Sequence, residues 1–515
     1  MKLLLGIDIG TYSTKGMLVD LEGNIVAKAA TAHEVAMPQD GWAEQDADGV
    51  WWNDLTVICR RLIEESGVDP REILGIGVSA IAPCVVPVDR NAKPLRPGIL
   101  YGIDTRAVEQ IRGLNRRLGE DWIREVSGSE LSAQSAGPKI LWIRENEREL
   151  FDRSSLFLTS TSYLVYRLTG ETYIDHYTAA FFGPLYNVRT LRWEPRGVEA
   201  VCRSDQLPDA RWTTNPGGRV SREAAKVTGL AEGTPVIVGT ADAAAEAVSA
   251  GVSQIGDTML MYGSSLFIIT LTPALSSGGA FWPAPFLFPG SSALAAGMAT
   301  TGSITEWFKR NFLAEVQLPG TEQDREATVA FELLAREAAK IPPGSEGLLA
   351  LPYFSGERTP INDPKARGVI AGLTLRHTRA HVYRAILEGV AYGIRHNLEA
   401  MSASGTSPKR LYSVGGGTKN REWMQIVSDV IGRPQLVRQS SGAAFGDAFL
   451  AGLGCGALPG AESLSGWLTA GEVIEPSAST ASLYGRYYES FRALYRQTAE
   501  TIHTLTELAG GSDEP

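Results

Sequence analysis

Three apolar runs open the chain, Leu3 to Ile7, Lys15 to Val19 and Ile25 to Ala30. The turn Asp20-Leu21-Glu22-Gly23-Asn24 separates the last two. Runs of this length bounded by turn residues predict a three-strand meander. Between the first two lies a polar loop, Asp8-Ile9-Gly10-Thr11-Tyr12-Ser13-Thr14-Lys15. Further on, Leu74 to Ser79 predicts a buried strand, Ala107 to Leu118 a helix, and Ile140 to Asn146 part of another, an alternation that predicts α/β layers. From about Pro195 to Gly218 the pattern breaks into a stretch rich in proline and glycine.

A second cycle then begins. Pro235 to Val238 predicts a strand, and Asp242 to Ala250 an alanine-rich helix stopped by Gly251. Asp257 to Tyr262 and Leu266 to Leu271 predict two strands joined by Gly263-Ser264-Ser265. A strand, a glycine with hydroxyls and a second strand thus occur near residue 8 and again near residue 263. This predicts two related halves, 1–239 and 240–515.

With 515 residues the chain can build two cores, and 44% hydrophobic with 21% charged residues is ordinary for a soluble globular protein. A net charge of −10 argues against nucleic acid and anionic membrane as partners. No apolar run approaches the ~18 residues of a membrane span. The start, Met1 to Asp8, lacks the apolar stretch of a signal peptide. Cys59, Cys84, Cys202 and Cys455 form no Cys-x-x-Cys pair, which fits a reducing cytoplasm.

The candidate chemistry sits in loops. A strand that ends in Asp8 and turns through Gly10 gathers backbone N–H groups, hydroxyls and a hard oxygen, as a phosphate chain with magnesium requires. A plain hairpin turn would use the same residues. Gly263-Ser264-Ser265 offers similar ingredients in the other half, so two facing hairpins could hold one polyphosphate. No Walker-type loop is present. Gly415-Gly416-Gly417-Thr418-Lys419-Asn420 follows a predicted strand, Leu411 to Val414. Its Asn420 is placed to cap a helix ending at Ile431 before Gly432. Asp242, in the first turn of its helix, is either a helix-start preference or a base for a hydroxyl proton. His377 and His381 lack the glutamate of a metalloprotease helix. Trp51 and Trp52 read as core anchors for a helix, with a sugar platform as the alternative.

These pieces together resemble the FGGY carbohydrate kinases, most closely their xylulokinase branch. The matching residues are Gly6 to Thr11, Gly41 to Asp46, Leu95 to Leu100, Lys139 to Trp142, Asp242, Leu351 to Pro360 and the stretch Gly368 to Gly389. The resemblance spans about Leu4 to Leu453. It implies two actin-like, ribonuclease-H-like α/β domains with an interdomain cleft for ATP and a sugar or polyol. Residues 1–239 would supply the sugar side and first phosphate loop, and 240–515 the nucleotide side and catalytic base. Asp8 would sit at magnesium and the transferred phosphate. Gly10, Thr11, Ser13 and Lys15 would line one phosphate loop, and Gly263, Ser264 and Ser265 the other. Asp242 would be the general base. Gly415, Gly416, Gly417, Lys419 and Asn420 would border the nucleotide, with Gly442 to Asp447 near the adenine. A homodimer is one option for a family member; the residues leave the oligomeric state open.

One departure bears on the acceptor. The branch carries Gln-Met-His-Gly where this chain has Ile81, Ala82, Pro83 and Cys84. Phe181 and Phe182 add bulk. Asp104 and Arg106 remain as polar candidates on the sugar side. A wall without hydrogen-bonding groups should not select the same hydroxyl pattern, so D-xylulose is expected to be a poor substrate. Two alternatives stay open: an actin- or chaperone-like ATPase, and a sugar-binding relative without catalysis.

Overall fold

The computed structural model describes residues 1–276, 279–313, 323–438 and 440–510. It contains two seven-stranded mixed sheets, one in each half of the chain. In the first, the order is Pro216–Arg219, Pro235–Ile237, Ile73–Ala80, Leu3–Ile9, Ser13–Asp20, Ile25–Ala32, and Thr240–Ala241 also pairs with Ile73–Ala80. In the second, it is Trp282–Pro285, Ser292–Met298, Leu266–Thr272, Asp257–Tyr262, Arg410–Val414, Gln435–Val437, Glu472–Ile474. Both sheets centre on an antiparallel hairpin whose first strand pairs in parallel with a later one: Leu3–Ile9 with Ile73–Ala80, and Asp257–Tyr262 with Arg410–Val414. The repeat of a strand, a glycine loop and a strand is therefore a repeat of topology.

The predicted strands and helices stand with ends shifted by a few residues. The break at 195–218 needs correcting. It contains a helix, Pro195–Val201, and the strands Asp209–Arg211 and Pro216–Arg219. Pro195 is the first residue of that helix, a position where its missing N–H costs nothing. Trp51 is a core anchor: it is fully buried and its indole N–H reaches Gln45 Oε1 at 2.9 Å. His377 and His381 accept backbone N–H groups of Thr374 and Thr378.

Two helices lie where the halves meet. Asp242–Ala250 packs against Ala443–Gly454, and the latter lies across Leu3–Ile9 and Ile73–Ala80 of the first sheet. Thr240–Ala241 still pairs in the first sheet, and the packing of these two helices also runs across residue 239. The crossing requires bare backbone. A Cβ at Gly6 would land on the Ala444 carbonyl, and one at Gly77 on the Asp447 carbonyl. Among the described residues no helix is long and apolar enough to cross a membrane.

This close approach makes a test. Gly6→Ala should destabilise the protein by about 1–3 kcal/mol or more, the scale of overpacking a filled core. Gly113→Ala is the control. Gly113 sits inside helix Val108–Leu118, and an added Cβ there meets nothing within 4 Å. It should be neutral or stabilising by up to about 1 kcal/mol. Urea unfolding of both variants checks the contrast, and equal stabilities would contradict this packing.

Candidate active site

A group of carboxylates is brought together from three places in the chain, Asp8 and Asp447 buried and Asp242 and Glu246 half-buried. Asp8 is the last residue but one of the first strand, paired in register with Lys15 on one side and Ser79 on the other. Asp242 opens its helix, where its carboxylate accepts the Ala243 N–H at 2.8 Å. Glu246 follows one turn later and accepts from Ser440 Oγ. Asp447 arrives on helix Ala443–Gly454. The Ser79 hydroxyl lies 2.6 Å from Asp447 Oδ2 and 3.3 Å from Asp8 Oδ1, joining the two.

Burial pushes all four carboxyls up, and repulsion between them adds to it for Asp8, Asp242 and Asp447. Desolvation is the largest cause for Asp8, raised to about 8, with Asp242 and Glu246 adding to it and Lys15 opposing. Asp242 rises to about 7 through burial and then Glu246, against the Ala243 N–H. Burial likewise raises Glu246, and it lifts Asp447 well above the carboxylate range. Asp447 Oδ1 is buried and has no hydrogen-bond partner among the described residues. No three described Asp, Glu, His or Cys side chains converge enough to hold a metal alone. Buried carboxylates short of positive charge, one with a free oxygen, nonetheless fit magnesium, which takes one or two protein oxygens and completes its shell with water and phosphate.

The first loop is fastened from behind. His33 Nε2 meets the Gly10 carbonyl at 3.0 Å, and its Nδ1 meets Asp54 Oδ2 at 2.8 Å. Thr14 donates to the same Asp54 oxygen, and Gln45 donates to the Thr11 carbonyl at 2.9 Å. The Gly41 to Asp46 motif thus contributes a brace for the loop that carries Gly10, Thr11 and Ser13. Lys15, on the strand beyond, is exposed. The second loop rests on the start of helix Gly302–Phe312. Thr301 and Ser303 donate their N–H groups to the Ser264 carbonyl, and Gly302 donates to Gly263.

A cavity of about 1060 Å³ opens beside that second loop. Gly263, Ser264, Gly416, Gly417, Lys419 and Asn420 line it, so the structure gathers these predicted residues around one space. Gly415 has φ +97° and lies against the Tyr262 carbonyl, just behind the lining. Asn420 caps helix Arg421–Ile431 through Trp423 N–H at 3.1 Å. Ser265, Gly442 and Asp447 are not part of the wall. The sequence reading missed Trp307, Phe331, Arg310 and Tyr383, which complete it. It also missed Glu246, although its position i+4 from Asp242 places it on the same helix face.

On the opposite side the expectations divide. Ile81 and Pro83 are buried, and Ala82 alone of the three keeps partial exposure. Ile81 uses its N–H on the Ile9 carbonyl and its own carbonyl on Ser160. Phe182 is core, and Phe181 packs edge-on against Tyr177. Asp104 and Arg106 need correcting as free polar groups. Both side chains are wholly buried and paired to each other at 2.7 Å. Asp104 also takes the Ala43 N–H, and the guanidinium lies 3.9 Å over Trp42. Arg106 is also ion-paired to Glu44 at 2.8 Å, so both charges are matched within the frame. Tyr101 was missed: its hydroxyl lies 2.9 Å from Thr11 Oγ1, and the Asp242 charge helps raise its pKa.

The raised carboxyls predict a pH effect. A carboxyl raised in the folded state contributes stability that is present below about pH 4 and is lost as pH climbs through the folded value. For Asp8 and Asp242 the window runs from 3.8 to about 8 and about 7. Asp447→Asn should therefore raise the Tm of ligand-free, metal-free protein by a few degrees at pH 8 and much less at pH 5. Thermal melts at the two pH values check this. A lower Tm at pH 8 would contradict the charge deficit.

Comparison with known proteins agrees with this geometry. The N-terminal domain of the FGGY family of carbohydrate kinases matches residues 3–249, and its C-terminal domain matches 258–455. A xylulose kinase of Lactococcus lactis is 29% identical over 98% of this chain and 99% of its own. A ribulokinase of Geobacillus thermodenitrificans is 27% identical over 96% and 94%. The crystal structure of xylulose kinase from Rhodospirillum rubrum superposes with TM-score 0.91 at 32% identity, covering 98% of this chain and 100% of that one. Plasmodium falciparum glycerol kinase with ADP shares the fold, with TM-score 0.85 at 23% identity over 96% and 98%. Two sheets built on the same plan and matches across both halves lead to one conclusion: the chain belongs to the FGGY family of carbohydrate kinases.

Proposed function

We propose that this ATP-dependent carbohydrate kinase phosphorylates a ketose or polyol of about pentulose size, with Asp242 as general base and magnesium held at Asp8 and Asp447. The observation that carries the reading is the cluster of Asp8, Asp242, Glu246 and Asp447, joined in part through Ser79. Asp242 stands in it with a pKa near 7, where a base both accepts and releases a proton readily. The reaction forms a bond between an acceptor hydroxyl oxygen and the γ-phosphorus and breaks the bridging bond to ADP. The hydroxyl proton passes to Asp242. Bound magnesium would supply positive charge to the β- and γ-phosphate oxygens.

The loops of Gly10 to Ser13 and of Gly263 and Ser264 offer N–H groups and hydroxyls for the phosphates. The 1060 Å³ cavity has room for the base and ribose, with Trp307, Phe331 and Tyr383 as flat apolar walls. The carbohydrate-kinase match across both halves decides against an actin- or chaperone-like ATPase. Retention of Asp8 and Asp242 speaks against a relative without catalysis. Four free cysteines fit work in a reducing cytoplasm.

Relatives named xylulose kinase and ribulokinase support a pentulose-like acceptor. The segment Ile81 to Pro83, of which Ala82 alone keeps partial exposure, supports an acceptor other than D-xylulose, because it offers no side-chain hydrogen bonds and each unpaired buried hydroxyl costs about 1–3 kcal/mol. Tyr101 and the bound phosphate loop would supply part of the polar recognition.

Two measurements test this reading. Asp242→Asn should keep fold and nucleotide binding and lose turnover by roughly 10²-fold or more; near wild-type turnover would remove Asp242 as the base. In an ADP-release screen of pentuloses, hexuloses, tetritols, pentitols and glycerol, the best acceptor should exceed D-xylulose by about tenfold or more in kcat/KM. If D-xylulose leads by that margin, the substituted wall does not set the choice. The screen also checks the metal: all turnover should vanish in excess chelator and return with magnesium or manganese.

A further inference from the structure

Lys139 has no exposed surface, and its ammonium touches only main-chain oxygens in the described hydrogen bonds. It donates to the carbonyls of Leu100 at 2.6 Å, Tyr101 at 2.8 Å and Ala133 at 2.7 Å, using all three of its protons. Asp104, whose charge favours the ammonium, is itself held by Arg106 and the Ala43 N–H. Burial pulls the lysine down to about 8 in spite of Asp104. A charge kept in such a place is costly unless well satisfied, and here it is satisfied by what it ties together.

Those three carbonyls belong to two segments. The first runs into Tyr101, whose hydroxyl reaches Thr11 Oγ1 on the first phosphate loop at 2.9 Å and is held up in pKa partly by the Asp242 charge. The second runs into Gln134, whose side-chain oxygen accepts the Gly102 N–H at 3.2 Å. The ammonium and the Gln134 amide therefore join residues 100–102 to residues 133–134 just behind Tyr101.

We propose that Lys139 is a positioning residue for the acceptor: its three-way hold on the carbonyls of Leu100, Tyr101 and Ala133 fixes the Tyr101 phenol between the first phosphate loop and Asp242. This rests on the reading that Tyr101 faces the acceptor side of the cleft. The nucleotide cavity is lined by residues from Tyr262 onward and shares no wall with this junction. Loss of Lys139 should accordingly separate acceptor kinetics from nucleotide kinetics, which general damage to the fold would not do.

The test is steady-state kinetics with the best acceptor of the screen, each substrate varied at saturating levels of the other. Lys139→Met fills the same space and removes the ammonium from the Leu100, Tyr101 and Ala133 carbonyls, leaving Tyr101 with the Asp104 N–H. It should raise the acceptor KM by at least about tenfold and leave the ATP KM within about twofold. Tyr101→Phe should act in the same direction, and Lys139→Met/Tyr101→Phe should be no worse than Lys139→Met by more than about twofold, because both changes act through one phenol. Gln134→Ala alters a part-exposed side chain at the same junction and should raise the acceptor KM by about threefold. If Lys139→Met does not fold, Gln134→Ala decides alone, and an unchanged acceptor KM overturns the proposal. An unchanged acceptor KM in folded Lys139→Met, parallel losses for both substrates, or multiplicative effects in the double variant overturn it as well. A rise confined to the ATP KM overturns the proposal together with the assignment of this side to the acceptor.

Discussion

Four carboxyl groups, Asp8, Asp242, Glu246 and Asp447, are held together with little access to water, the first and last fully buried, and Lys15 is the cation that opposes their charge on Asp8. No fold would hold such a group for stability. Like charges in a low-dielectric place repel, and burial withholds the water that would screen them. The arrangement makes sense when a polyphosphate with its metal completes it. The free Asp447 oxygen and the raised carboxyls show where positive charge is missing. Stability is given up locally so that the site is ready for its ligand.

The rest of the architecture serves that cluster. Gly6 and Gly77 let helix Ala443–Gly454 lie on the first sheet closely enough for Asp447 to share the Ser79 hydroxyl with Asp8. Helix Asp242–Ala250 packs against the same helix and presents Asp242 and Glu246 from the other direction.

Much of this was legible in the sequence where the signal was local. Asp242–Ala250 and Asp257–Tyr262 stand as their residues predicted, and Asn420 caps its helix as its position required. The glycine loops at 10 and 263 marked the two hairpins. What depends on distant contacts was not legible from pattern alone. Ser79 and Asp447 are 368 residues apart in the chain, and the resemblance placed Asp447 on the adenine side rather than beside Asp8. Asp104 and Arg106 looked like free polar groups because spacing does not reveal that their partners are each other and the Ala43 N–H. Trp307, Phe331 and Tyr383 sit on helices, where an aromatic residue reads equally well as core. Pro195 was a missed local signal, since proline begins helices as readily as it breaks them.

The charge deficit of the cluster can be measured without catalysis. Calorimetric titration of the protein with ADP and magnesium, at pH 7 in buffers of different ionisation enthalpy, counts the protons exchanged on binding. With Asp8 raised to about 8 and Asp242 to about 7, the free protein carries protons there at pH 7. Binding of the metal nucleotide should release roughly half a proton or more, and Asp8→Asn should reduce that release. Binding enthalpies that do not depend on the buffer, in the wild type as in Asp8→Asn, would contradict the account.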